Sequence, residues 1–213
     1  MKENYSLQLE RLLADIEKNG RRPSLLLQVC CAPCSSYVLE YLSQYMDITL
    51  FFYNPNISPA SEFDFRLAEL RRFAEQAGYN NISIEAPLYD ASEFYSRVRG
   101  MEQLPEGGER CRICYELRLR ETAKRAQSGN FDYFCTTLSI SPYKNAAWLN
   151  EIGQSLEAEY GVRWLVSDFK KKNGYKRSIA LSAEYNLYRQ DWCGCIYSKA
   201  ESEKKRLDKE NSK

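Results

Sequence analysis

"LLLQVCCAPCSSY", Leu25 to Tyr37, decides how the rest of the chain is read. Its apolar run predicts a buried strand over Ser24–Val29, and a helix follows over Ser36–Tyr45 with Val38, Leu39 and Leu42 turned inward. Between them lies a loop holding Cys30, Cys31 and Cys34. Cys31-Ala-Pro-Cys34 matches the C-x-x-C spacing of a redox dithiol. Cys30 has no place in that picture.

Strands and helices alternate on either side of this stretch. Residues 5–19 read as an N-terminal helix on Leu7, Leu9, Leu12, Leu13 and Ile16, closed by Gly20 and Pro23. Further strands are predicted over "DITLFFY", "ISIEAP", "FDYFCTTL" and "VRWLV". Helices are predicted from Ala60 or Ser61 to about Ala77, over Ala91–Arg99, Cys111–Gln127, Pro142 to Gly161, and Ser178–Arg189. "DWCGC" reads as a loop, and Lys199 onward as a charged tail, helical or frayed. The alternation predicts one α/β domain over residues 1–213: a Rossmann-like parallel sheet with helices on both faces, an N-terminal helix over 1–22 and the charged tail over 199–213. Ligands of such sheets bind at the carboxyl ends of the strands, where the cysteine loop and "TTLSISPYK" both fall.

The 213 residues are 44% hydrophobic and 28% charged, the balance of a globular protein. No apolar run reaches the roughly 20 residues that span a bilayer, and "MKENYSLQLERLLADIEKNG" lacks an apolar signal core, so a cytoplasmic protein is expected. In a reducing compartment eight cysteines point to metal or redox chemistry rather than to disulfides. The chain has no histidine, which excludes His-dependent triads, Cys-His pairs and His-containing zinc sites. A formal net charge of +1 leaves any nucleic-acid contact to a local patch.

Seven of the eight cysteines are grouped: Cys30, Cys31 and Cys34; Cys111 and Cys114; Cys193 and Cys195. A C-x-x-C at a helix start lets two thiolates converge on one ion, and Gly194 allows a tight turn in "CGC". In extended backbone neighbouring side chains face apart, so Cys30 and Cys31 are expected to serve different centres. One structural zinc on "CAPC" and "CRIC" would leave "CGC" unexplained, and a thioredoxin-like dithiol would leave both distal pairs unexplained. Seven thiols exceed the four that a zinc or one 4Fe-4S cluster needs. Cys135, alone in an apolar strand, reads as core.

Six ordered blocks, "CCAPC", "YNPNISP", "ERCRICYELRL", "TTLSISPYKN", "SDFKKKNGYKRS" and "LYRQDWCGCIYS", together resemble the epoxyqueuosine reductase QueH family from about Leu25 to Ser198. The resemblance implies cobalamin-independent, two-electron reduction of epoxyqueuosine to queuosine at the tRNA wobble position. It also implies a 4Fe-4S cluster beside a mononuclear iron, with an electron donor it does not name. Some members carry Asp where this chain has Cys34. The expected split puts Cys30 or Cys31, Cys111, Cys114 and one of Cys193 or Cys195 on the cluster, and Cys34 with the remaining thiols on the second iron.

Under that resemblance, epoxide opening and loss of water need an acid, for which Asp168 and Glu62 are candidates, and Tyr143 and Lys144 are further site residues. Lys170, Lys171, Lys172, Lys176 and Arg177, around a flexible Asn173-Gly174 turn beside Tyr175, are expected to bind RNA phosphates. Tyr53, Asn54 and Asn56 are expected to bind the modified base. Two other readings stand beside this one. A tRNA sulfur-transfer enzyme would usually show a glycine-rich ATP loop where this chain has "CCAPCSS". A zinc-stabilised RNA-binding module would use the cysteines only to hold its fold.

Overall fold

Five parallel strands are assembled in the order β3-β2-β1-β4-β5 in a computed structural model that describes residues 3–79 and 82–211. They are β1 Ser24–Gln28, β2 Asp47–Phe51, β3 Ser83–Glu85, β4 Tyr133–Thr136 and β5 Arg163–Trp164. β1 is central, with Leu25 paired to Ile48 on one side and Tyr133 on the other. Leu25, Leu26 and Leu27 are fully buried, as a strand covered on both faces requires. The chain leaves β1 toward one edge, crosses back, and fills the other edge with β4 and β5. That reversal opens a crevice beyond the carboxyl ends of β1 and β4.

The helices are α1 Tyr5–Lys18, α2 Ala32–Leu42, α3 Ala60–Gln76, α4 Ser92–Arg97, α5 Glu109–Ser128, α6 Ala146–Tyr160, α7 Gly174–Glu184 and α8 Ile196–Asn211, with a short 3-10 turn at Thr137–Ile140. α2 contacts α3 and α7, while α5 contacts α6, β1 and β4. The expected Rossmann-like α/β arrangement is the one observed. No helix among the described residues is long and apolar enough to cross a membrane.

Several boundaries differ from the sequence reading, and those at α2, α7 and α8 shape the site. α2 begins at Ala32, four residues early, because Cys31 is its N-cap and Pro33 sits where no backbone N–H is needed. The cysteine loop therefore shrinks to Val29, Cys30 and Cys31: the strand ends at Gln28, the helix begins at Ala32, and Cys34 stands on its first turn. α7 begins at Gly174 rather than Ser178. A Cβ on Gly174 would lie 2.0 Å from the Phe169 carbonyl oxygen and 2.5 Å from the Tyr37 ring. The glycine serves close approach to α2 rather than the flexible turn expected of Asn173-Gly174. The charged tail is α8, which starts immediately after Cys195. α6 starts at Ala146, capped by the Asn145 side chain, so Pro142 stays outside it.

Candidate metal centre

Cys30, Cys31 and Cys34 place their sulfurs within 4.8 Å of one another at the end of β1. The Sγ atoms of Cys30 and Cys31 are 3.7 Å apart, so these neighbours converge instead of facing apart. The alternation rule fails because Cys30 lies on the bend between Gln28 and the first turn of α2, outside the extended strand. The three thiols share protons. Hydrogen bonds from Cys31 and Cys34, with help from the Arg118 and Arg66 guanidinium groups, hold Cys30 well below the usual thiol range. Cys31, which keeps the proton shared with Cys30, is pushed up to about 12, and Cys34 is raised for the same reason. One negative charge thus rests on the trio, and charging all three calls for a cation among them.

Cys111 and Cys114 stand on the first turns of α5, and Cys193 and Cys195 precede α8. Gly107 N donates to Cys111 Sγ at 3.3 Å and Ser198 N to Cys195 Sγ at 3.4 Å. Gly194 has φ +112°, and its carbonyl accepts from Ser58 N at 2.9 Å, which ties the "CGC" turn to the loop after β2. Burial pushes Cys111 up, and Cys114 up to about 11. The sulfurs of Cys193 and Cys195 are 3.5 Å apart, and this contact holds Cys193 down and Cys195 up. With the Lys144 ammonium facing it as well, Cys193 falls to about 5.

The shift at Cys193 has a testable sign. A folded value of about 5 lies below that of a free thiol, about 8.5, so the thiolate persists through neutral pH and is lost only as pH falls through 5. In metal-free protein Cys193, partly exposed where the likewise lowered Cys30 is buried, is therefore expected to be the first thiol alkylated by iodoacetamide at about pH 6.5, read by peptide mass mapping. A Cys193 rate that rises only above about pH 8 would contradict this.

All seven grouped cysteines line one cavity of about 450 Å³. Cys135 does not; it is buried in β4, where its Sγ donates to the Leu165 carbonyl at 3.3 Å. Arg66, Arg110 and Arg118 also line the cavity and are 1%, 1% and 3% exposed, so their charges face inward. Arg66 Nε donates to Glu62 at 2.7 Å, and Arg118 Nη2 donates to Asn54 Oδ1 at 2.7 Å. Six buried side-chain polar atoms among the described residues lack a hydrogen-bond partner, and five of them belong to residues lining this cavity: Asn56 Oδ1, Arg66 Nη2, Arg110 Nε, Tyr115 Oη and Arg118 Nε. Such orphans are expensive in a finished core and ordinary where a polar, anionic ligand binds.

The other residues singled out from the sequence divide by position. Asn56, Lys144, Tyr143 and Tyr175 line the cavity, Tyr143 at its exposed mouth. Lys144 Nζ lies 2.8 Å from Glu106 Oε1, whose second oxygen accepts from Ser198 Oγ. Glu62 is outside the lining and reaches it through Arg66, while Asn54 is buried beneath it, donating to the Val29 carbonyl at 2.9 Å. Tyr53 Oη donates to Glu93 at 3.4 Å, away from the cavity. Asp168 is also outside it, 2.6 Å from Lys170 Nζ. In the basic segment Lys172 pairs with Glu10, and Arg177 Nε donates to Glu40 at 2.9 Å. Only Lys171 and Lys176 in that segment are exposed without an ion pair among the described residues.

Sequence reading missed Arg66, Arg110, Arg118 and Tyr115. A signal existed for α5, since Cys111, Cys114, Tyr115 and Arg118 recur at helical spacing and occupy one face, where a core helix would carry aliphatic residues. Arg66 likewise stands among Phe63, Leu70 and Phe73 on the buried face of α3.

Fold and site together define a parallel α/β protein with a polythiol centre at the point where its sheet order reverses. A family model described as epoxyqueuosine reductase QueH matches residues 25–201. A Streptococcus pyogenes serotype M1 protein named epoxyqueuosine reductase QueH is 43% identical over 198 residues, covering 92% of this chain and 78% of that one. A Thermotoga maritima protein of the same name is 34% identical over 185 residues, covering 87% of this chain and 95% of that one. A solved structure described as a predicted subunit of a tRNA methyltransferase from Methanocaldococcus jannaschii superposes loosely, with a TM-score of 0.48 and 13% identity over 75% of this chain and 76% of that one. The chain belongs to the epoxyqueuosine reductase QueH family.

Proposed function

We propose that this chain reduces epoxyqueuosine to queuosine in tRNA, with its seven cavity cysteines holding a 4Fe-4S cluster and a single iron beside it. The observation that carries the proposal is the convergence of three cysteine groups, with buried cations and unpaired polar atoms, on one cavity of about 450 Å³. The donor set fits: thiolates suit iron–sulfur clusters and zinc, either takes four, and seven leave three. Sulfurs within 4.8 Å support Cys30, Cys31 and Cys34 as the ligands of the single iron, leaving Cys111, Cys114, Cys193 and Cys195 for the cluster. When bound, the pair supplies single electrons and a Lewis acid for the epoxide oxygen.

The net reaction adds two electrons and two protons to the epoxide, breaks both of its C–O bonds, and releases an alkene and water. Two cavity groups hold protons where they are needed. Tyr115 is kept protonated at Oη by burial, and Lys144 at Nζ by the charges of Cys193 and Glu106, which outweigh its own burial. Glu62 and Asp168 would act only after release from Arg66 and Lys170. Asn56 Oδ1 and Arg66 Nη2 offer an acceptor and a donor to the polar groups of the bound nucleoside. Lys171, Lys176 and the exposed Tyr143 remain for the surrounding RNA, and the site requires an electron donor. Eight free cysteines suit work in the reducing cytoplasm.

Nucleoside analysis tests the assignment. tRNA from a host deprived of this gene, and lacking a second reductase, is expected to accumulate epoxyqueuosine, which complementation removes. Unchanged queuosine in that strain would refute it.

A further inference from the structure

α8 leaves the site directly after Cys195, and its first half is pinned there. Glu201 Oε1 accepts from the Glu106 backbone N–H at 2.8 Å, and Ser202 Oγ donates to Asp191 Oδ2 at 2.8 Å. Beyond these anchors the cavity lining continues along the helix with Lys205, Arg206 and Lys209. At 3.6 residues per turn Ser202 and these three cations share a sector of about 100°. Glu203, Lys204, Leu207, Asp208 and Glu210 fall outside it. Among the described residues none of the three cations is held by an ion pair or a side-chain hydrogen bond, although Lys205 is close enough to lower the Glu106 carboxyl. That carboxylate is already bonded to Lys144 and Ser198. In the segment singled out from sequence Lys170, Lys172 and Arg177 are paired, which leaves Lys171 and Lys176 there.

We infer that Lys205, Arg206 and Lys209 form a rail on α8 that grips the phosphodiester backbone of a single-stranded RNA loop while one of its nucleosides enters the cavity. The inference rests on the proposed function for its substrate, and its residues lie beyond the matched segment, which ends at residue 201. An enzyme that works on one base takes that base out of the stack and leaves the flanking phosphates at the mouth of its pocket. The cations stand there, roughly 15 to 20 Å along the helix axis from Cys195. Tyr143, exposed, and Tyr175, with Arg189 5.8 Å above its ring, line the same cavity and give flanking bases a stacking surface.

The test uses iron-loaded full-length protein and an anticodon stem–loop RNA, with binding measured across a salt series. Reversing all three charges (Lys205→Glu, Arg206→Glu, Lys209→Glu) is expected to weaken binding at least about tenfold and to flatten the log–log salt slope by about 2, the release expected for three single-strand phosphates. Iron content and absorbance should be unchanged, KM should rise, and kcat at saturation should stay near the parent value. Lys204→Glu, on the opposite face of α8, should leave the slope unaltered. If the parent protein binds the RNA and the triple variant keeps its slope, the rail is wrong and the proposed function stands. If the parent protein shows no RNA binding, both fall.

Discussion

Replacing Cys111, Cys114, Cys193 or Cys195 with serine is expected to abolish labile sulfide and visible absorbance and to lower turnover by more than about 100-fold, beyond what losing an outer partner of a metal ligand costs. The same change at Cys30, Cys31 or Cys34 is expected to cost as much turnover but to remove iron while sparing sulfide. The difference follows from the grouping of the sulfurs, three within 4.8 Å of one another and four on α5 and the "CGC" turn. Cys135→Ala is the control: its thiol lies in the β-sheet core, outside the cavity, so only about 1 kcal/mol of stability should be lost, with iron and activity retained. Iron and sulfide assays on the eight variants check the pattern. Full iron and sulfide after any of the seven changes would remove that residue from the centre.

Arg118→Met is expected to produce the second largest effect, because one buried guanidinium supports both the sheet and the thiols. Its Nη2 donates to Asn54 Oδ1 at 2.7 Å and to Gln28 Oε1 at 3.4 Å, and Gln28 also accepts from Thr136 Oγ1 at 2.8 Å. This network ties together the carboxyl ends of β1 and β4, and losing the charged donor should cost about 2 kcal/mol in metal-free protein. The same cation lowers Cys30 and Cys114. Without it these thiols hold their protons to higher pH, so the pH for half-maximal metal uptake moves upward and affinity falls about 10- to 100-fold. Arg118→Lys should recover most of the pH shift but little of the stability. Unchanged uptake in Arg118→Met would show that the guanidinium supports only the sheet.

The strand–helix alternation was legible because each strand is a short apolar run between turn residues, and β1, buried on both faces, reads most clearly of all. The convergence of the cysteine groups was legible from spacing, since "CAPC", "CRIC" and "CGC" are tight pairs in a chain without histidine, and all three line one cavity. The direction of Cys30 and Cys31 was not. It depends on where the strand stops, and Leu-Gln-Val-Cys carries no local signal that pairing ends at Gln28. The basic segment misled for a different reason: Glu10 and Glu40, which neutralise Lys172 and Arg177, come from α1 and α2 and lie far away in sequence. The buried arginines were hidden by the ordinary expectation that arginine is exposed, which fails where a guanidinium faces thiolates instead of water.

The claim that seven thiols converge on an iron–sulfur centre with a second iron is tested most directly by metal and sulfide analysis of protein purified without oxygen. The expected product is brown, with labile sulfide and more than about four irons per chain. A colourless protein containing one zinc and no sulfide would contradict the account.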